Sequence, residues 1–440
     1  MAVKPRKVPS ASASTSASTP ATSNGKLATK RPATAKTKTA ALKANVSPNT
    51  SSHANGSSLT AKAANAHPHV ALVLQGGGAL GAYQAGVYQA LHEHNLTPDW
   101  VIGTSIGAIN AALIAGNPRE TRLERLKEFW DRVGQADALD MQKVPDATRQ
   151  LNIWLATMET YARGVPGFFA PRQFNPFAMG LPVKPEEASF YDTSELAATL
   201  AELIDFDYLN ARHGMRLTVS AMKVICGSLV NFDSSQHRIG VEHIMASGAL
   251  PPGFAPVRVD GELYWDGGMY SNTPLETVLD DEPRRNTICV MVDLWLADGQ
   301  EPTTLEEVQT RQKDVTFASR SQAHIDSYLR TNKLRSAARS LYARLPKELQ
   351  DSHDLKDLKE LGKATTIHVV RLQYTGRDWN MASKDINFSR GSIRWRWEQG
   401  YNDALRALEG CKNALFEHSD NGIVIHDFRA GQTECKTEVS

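Results

Sequence analysis

Between Val70 and Leu91 the chain reads VALVLQGGGALGAYQAGVYQAL. A strand-like apolar run gives way to three consecutive glycines, a fourth after two more residues, and then a helix-forming stretch. Bare backbone at the mouth of a helix leaves N–H groups free to meet negative charge, either a phosphate or a transient oxyanion. Gly76, Gly78 and Gly81 satisfy G-x-G-x-x-G, the dinucleotide fingerprint. That fingerprint also requires an acidic residue at the end of the next strand to hold a ribose. Asp99 instead precedes the next strand, WVIG, and the strand runs on into GTSIGAIN. An NAD(P)-binding role is therefore the weaker of the two readings.

Gly103, Ser105 and Gly107 form G-x-S-x-G, a sharp strand-to-helix turn that lifts a serine hydroxyl above a sheet. The flanking glycines fit a turn where a Cβ would crowd the backbone. Residues 70–74 and 100–103 read as strands, and residues 79–94 and 106–116 as the helices that follow them. Strand plus helix at this repeat predicts an α/β protein built on a mainly parallel sheet. Residues 215–225, 287–297 and 366–372 are further strand candidates, and residues 313–343 and 393–417 read as long helices. In a parallel sheet, loops that follow strands open on one face. If the two strands are neighbours, N–H groups near Gly77 and Gly78 can point at an acyl oxygen attacked by Ser105.

A serine nucleophile needs a base. His368, His418 and His426 lie late in the chain, as in an α/β-hydrolase triad. That fold places its nucleophile well downstream of the oxyanion loop, whereas Ser105 follows Gly78 by 27 residues. The three histidines are accordingly read as surface or loop residues. Asp266, in YWDGGMYSNTPL, is the better candidate. Two readings stay open for it on bare sequence: a carboxylate presented by the Gly267–Gly268 turn, or an ordinary Asp-Gly hairpin.

With these pieces together the sequence resembles the patatin-like phospholipases, over about residues 70–300. QGGGALGAYQAG is similar to that family's oxyanion-hole loop, which assigns Gly76, Gly77, Gly78 and Gly81. GTSIGAIN is similar to its nucleophile elbow, with Ser105 between Gly103 and Gly107. ASGALPPGFAPVRVDGELYWDGGMYSNTPL is similar to its Asp-Gly-Gly segment, with Asp266, Gly267 and Gly268. The resemblance implies a three-layer α/β/α fold and a Ser105–Asp266 dyad without histidine. It also implies hydrolysis of lipid acyl esters of the phospholipase A or lysophospholipase kind, with no metal or cofactor. Leu80 stands where the family often carries Arg or Lys, so a positive charge is missing from the loop. The mostly helical region 301–440 resembles an extension found behind patatin domains in some bacterial proteins.

Residues 1–68 are a separate compositional segment, rich in Ala, Ser, Thr, Pro and Lys. Of the 49 basic residues, ten lie there and 39 follow, against 48 acidic residues that all follow. Such a segment is expected to be disordered, because it has too little apolar surface to offset its backbone entropy. It is either a solubilising tail or an electrostatic tether to an anionic membrane or another polyanion; no specific nucleic acid is indicated. Four scattered cysteines, the lack of a long apolar run and the lack of an apolar leader fit a cytoplasmic protein, with peripheral membrane contact left open. The chain thus divides into the tail (1–68), a hydrolase domain (69–300) and an extension packed on it (301–440), with the oligomeric state undetermined. VPGFFAPRQFNPFAMGLPVKP reads as an irregular loop, either anchored by aromatics or forming an apolar lid or acyl-chain wall. The non-enzymatic alternative is a lipid- or granule-binding scaffold with a vestigial dyad.

Overall fold

A computed structural model describes residues 69–136, 146–173, 177–211, 214–350, 365–376, 382–411, 422–429 and 436–438, with 355, 415, 417 and 419 as isolated positions. The strands are β1 (His69–Leu74), β2 (Trp100–Gly103), β3 (Ala170–Pro171), β4 (Tyr191–Asp192), β5 (Arg216–Lys223), β6 (Leu229–Asp233), β7 (Val257–Val259), β8 (Glu262–Asp266), β9 (Thr287–Asp293), β10 (Ile367–Gln373), β11 (Ile423–Arg429) and β12 (Lys436–Glu438). The helices are α1 (Ala82–Glu93), α2 (Ile106–Ala115), α3 (Arg119–Arg132), α4 (Asp146–Arg163), α5 (Ser194–Leu203), α6 (Phe206–Asn210), α7 (Val241–Ser247), α8 (Leu275–Leu279), α9 (Leu305–Phe317), α10 (Ser321–Ala343), α11 (Lys347–Gln350) and α12 (Arg390–Cys411).

Ten strands form one sheet, and β3 and β4 pair separately. Its centre, β11-β10-β9-β1-β2-β5, is parallel throughout, with β12 antiparallel at one edge and β6, β7 and β8 antiparallel at the other. Side chains alternate across the sheet, as strand geometry dictates. Leu72 and Leu74 enter the core under α1 and α2, and Ala71 and Val73 the core under α8 and α10. The result is the expected α/β/α arrangement. The sheet continues past residue 300 without a break, since β10 pairs with β9 along its whole length. On the same side, α12 packs against α1 backbone to backbone: a Cβ at Gly86 would lie 1.9 Å from the Trp397 carbonyl oxygen. Tyr83 of α1 donates a hydrogen bond to Asp403 of α12 at 2.9 Å.

Several readings change. The helix expected over 313–343 is two helices, broken at Ala318–Arg320 between α9 and α10. His368 and His426 are not surface residues. Both are buried on neighbouring strands, with stacked rings 5.4 Å apart and His368 Nδ1 at 3.1 Å from His426 Nε2. Interior strands of a parallel sheet are covered on both faces, so neither side of β10 or β11 offers a histidine an exit to solvent. His418 lies outside the described residues. In the irregular aromatic segment, Phe168 and Phe169 are core residues packed on Phe254, while Met179 and Leu181 are exposed. Cys226 and Cys289 are free thiols.

Candidate active site

Ser105 sits between β2 and α2 with φ 56° and ψ −125°, a conformation that costs a non-glycine residue about 1–3 kcal/mol. Its neighbours hold it there. Its N–H is shared by Ser247, donating to the carbonyl oxygen at 3.2 Å and to Oγ at 3.1 Å. Its carbonyl accepts from the N–H groups of Ala108 and Ile109, which fixes the start of α2. The glycines of the elbow answer to contact. A Cβ on Gly103 would lie 2.2 Å from the Gly107 carbonyl oxygen, and one on Gly107 would lie 2.2 Å from that of Leu74, so α2 starts against the end of β1.

Strand register explains how a residue 161 positions later reaches this serine. Through its first half β5 pairs with β2, ending at Gly103 opposite Val219. Through its second half it pairs with β8, beginning at Asp266 opposite Ala221. β6 pairs with residues of both halves on the other flank, so β2 and β8 occupy the same flank and meet end to end. Only Ser220 of β5 lies between the two pairings. Its carbonyl accepts a hydrogen bond from Ser247 Oγ at 2.7 Å, and Gly267 packs so closely on it that a Cβ would fall 2.4 Å away.

Asp266 is 2% exposed and takes a hydrogen bond from the Ser105 hydroxyl. Its Oδ1 accepts from the Gly268 N–H at 2.7 Å. Burial raises its pKa to about 6, outweighing the two hydrogen bonds that favour the carboxylate. Asp266 therefore closes a strand in the sheet, and the hairpin reading does not apply.

The glycine loop lies beside this pair. A Cβ on Gly76 would lie 3.0 Å from Ser105 Cβ and 2.3 Å from Asn272 Oδ1. Gly78 has φ 55°, open to glycine at little cost, and abuts the backbone of Asp385. The N–H groups of Gly77 and Gly78 find no acceptor among the described residues, and these two positions are partly exposed. Gly81 packs against Ile106, which joins the loop to the elbow. Leu80 is fully buried, so the position that lacks a cation faces the core.

Four residues that hold the loop or the elbow carry no catalytic signal of their own. Asn272 receives the Gly76 N–H at its carbonyl (3.2 Å) and donates through Nδ2 to the carbonyls of Gly76 (3.1 Å) and Phe317 (2.8 Å). Trp295 Nε1 donates to Gly76 O at 2.8 Å. Gln75 Oε1 accepts from the N–H groups of Leu294 and Trp295, while its Nε2 donates to Phe317 O. Ser247 supports the elbow. Asn272 and Ser247 fall within the Asp-Gly-Gly segment and its lead-in, but their partners are distant in sequence. Among the described residues no cluster of His, Cys, Asp and Glu is arranged to hold a metal ion.

Fold and site together define an α/β/α protein of the serine-elbow class. Residues 72–279 match the family model described as patatin-like phospholipase, and residues 315–414 match a second, described as patatin phospholipase. The chain belongs to the patatin-like phospholipase family. It is 29% identical over 210 residues to patatin-like phospholipase domain-containing protein 6 of Homo sapiens, covering 47% of this chain and 12% of that protein. It is 47% identical over 66 residues to lysophospholipase nte1 of Aspergillus terreus, covering 15% of this chain and 4% of that one. The chain thus spans a small part of these relatives. Among solved structures, VipD from Legionella pneumophila aligns at a TM-score of 0.35 and 15% identity, covering 78% of this chain and 67% of that chain.

Proposed function

We propose that this chain is a serine hydrolase of lipid acyl esters, of the phospholipase A or lysophospholipase kind. The observation that carries the reading is the Ser105 hydroxyl bonded to a buried carboxylate, next to two glycine N–H groups with no described acceptor. Asp266 takes the proton as Ser105 Oγ adds to the ester carbonyl carbon. The carbonyl electron pair moves onto oxygen, where the N–H groups of Gly77 and Gly78 receive it. Loss of one such donor typically costs about 3–4 kcal/mol of transition-state stabilisation. The intermediate collapses, and Asp266 returns the proton to the departing alcohol or lysolipid oxygen. Water, deprotonated by Asp266, then adds to the acyl-serine, releasing the fatty acid and restoring the hydroxyl.

Two features support a dyad working without histidine. The carboxylate is desolvated, and its pKa of about 6 makes it a stronger base than an exposed aspartate. The names of the phospholipase relatives also support an acyl-ester substrate. Ser105→Ala and Asp266→Asn are each expected to lower turnover of p-nitrophenyl butyrate at least about 10³-fold. A fluorophosphonate probe is expected to label the wild type and leave Ser105→Ala unlabelled. Full turnover in either variant would overturn the assignment, and an unlabelled wild type would favour the scaffold reading.

A further inference from the structure

Helix α4 carries an exposed apolar stripe. Trp154, Met158 and Tyr161 recur at helical spacing and are 50%, 42% and 51% exposed. On a helix packed against a soluble body, such a stripe normally turns inward. Here it faces α9 across a groove of about 790 Å³, within the range of small-molecule sites. The opposite wall is polar, formed by Gln309, Gln312 and Thr316. Along α9, from Leu305 to Phe317, the groove runs about 18 Å.

Phe317 lines the groove, with its ring 5.4 Å from that of Trp295. The Phe317 carbonyl is held by Gln75 and Asn272, the residues that fix the glycine loop beside Ser105. Its floor at Ser383 is tied to α4 through a 3.2 Å contact with Thr157. Two residues on, Asp385 abuts Gly78. An apolar wall and a polar wall, carried on segments that also hold the glycine loop, suit one long acyl chain whose ester lies at the serine.

We propose that the α4–α9 groove holds the acyl chain of the substrate, and that α9 thereby sets acyl-length preference. The inference rests on the hydrolase reading above and names its substrate as a long-chain ester. The groove requires the segment after residue 300, which supplies α9 and Ser383.

The test compares p-nitrophenyl palmitate with p-nitrophenyl butyrate in Met158→Trp and Gln312→Trp, which fill the groove from opposite walls. Both side chains are outside the Ser105–Asp266 site, so butyrate turnover reports folding and chemistry. The kcat/KM for palmitate is expected to fall at least about tenfold in each variant, with butyrate changing less than about twofold. An equal fall on both esters, or no fall on palmitate, overturns the proposal. A second measurement does not need catalysis. Brominated palmitate titrated into Ser105→Ala is expected to quench Trp154 fluorescence, with the quenching lost in Trp154→Phe. Quenching without Ser105-dependent turnover in the wild type would sink the hydrolase reading and leave the chain site standing. Turnover without quenching would sink the chain site alone.

Discussion

Asp266 carries two opposed influences. Hydrogen bonds from Ser105 and Gly268 favour the ionised form, and burial disfavours it; burial wins, and the pKa rises to about 6. In the proposed mechanism Asp266 must be ionised to accept the Ser105 proton. Activity is therefore expected to be present above this value and to fall as pH drops through it. In kcat/KM for p-nitrophenyl butyrate, the acid limb should have its midpoint near 6; a midpoint near 4 would mean a solvated carboxylate. Ser105 and Asp266 were legible in the sequence because each sits in a local pattern that chemistry demands. Their partnership was not, because it depends on which strand lies beside β5. His426 was misread because β11 was not anticipated, and a histidine in an unassigned segment looks like a loop residue until a strand is laid over it. His368 sits in an expected strand, but its burial depends on β11 lying beside that strand.

The decisive elements are the three short connections after β1, β2 and β8. The first two were readable from their glycines, and the parallel pairing of β1 with β2 bears out the expected closeness of loop and elbow. What sequence did not disclose is the part played by the YSNTPL turn after β8. Asn272 there ties the glycine loop to α9 through both carbonyls it contacts. It touches no reacting atom and acts as a positioning residue. Asn272→Ala is expected to lower kcat about tenfold or more with little change in KM, since the N–H groups would lose their aim at the transition state rather than at the bound ester. A rise in KM at constant kcat would instead show a role in ground-state binding.

Across the molecule, one sheet carries both the serine and the strands contributed after residue 300. β9 receives β1 on one flank and β10 on the other, and the buried Asp293 at its end joins Arg371 of β10 to Thr273 beside Asn272. No separately melting piece of this sheet would leave the site intact. Heating is therefore expected to remove esterase activity and far-UV circular dichroism in one transition. A loss of activity well below the loss of secondary structure would show that the site rests on something looser than the sheet.

The end-to-end meeting of β2 and β8 alongside β5 has a consequence for how such a protein can change. The approach of Ser105 to Asp266, the proposed nucleophile and base, is gauged by a single residue of a third strand, Ser220, and not by the length of either connecting loop. Connections away from the glycine loop and its supports are thus at liberty to lengthen or shorten without moving the Ser105–Asp266 contact.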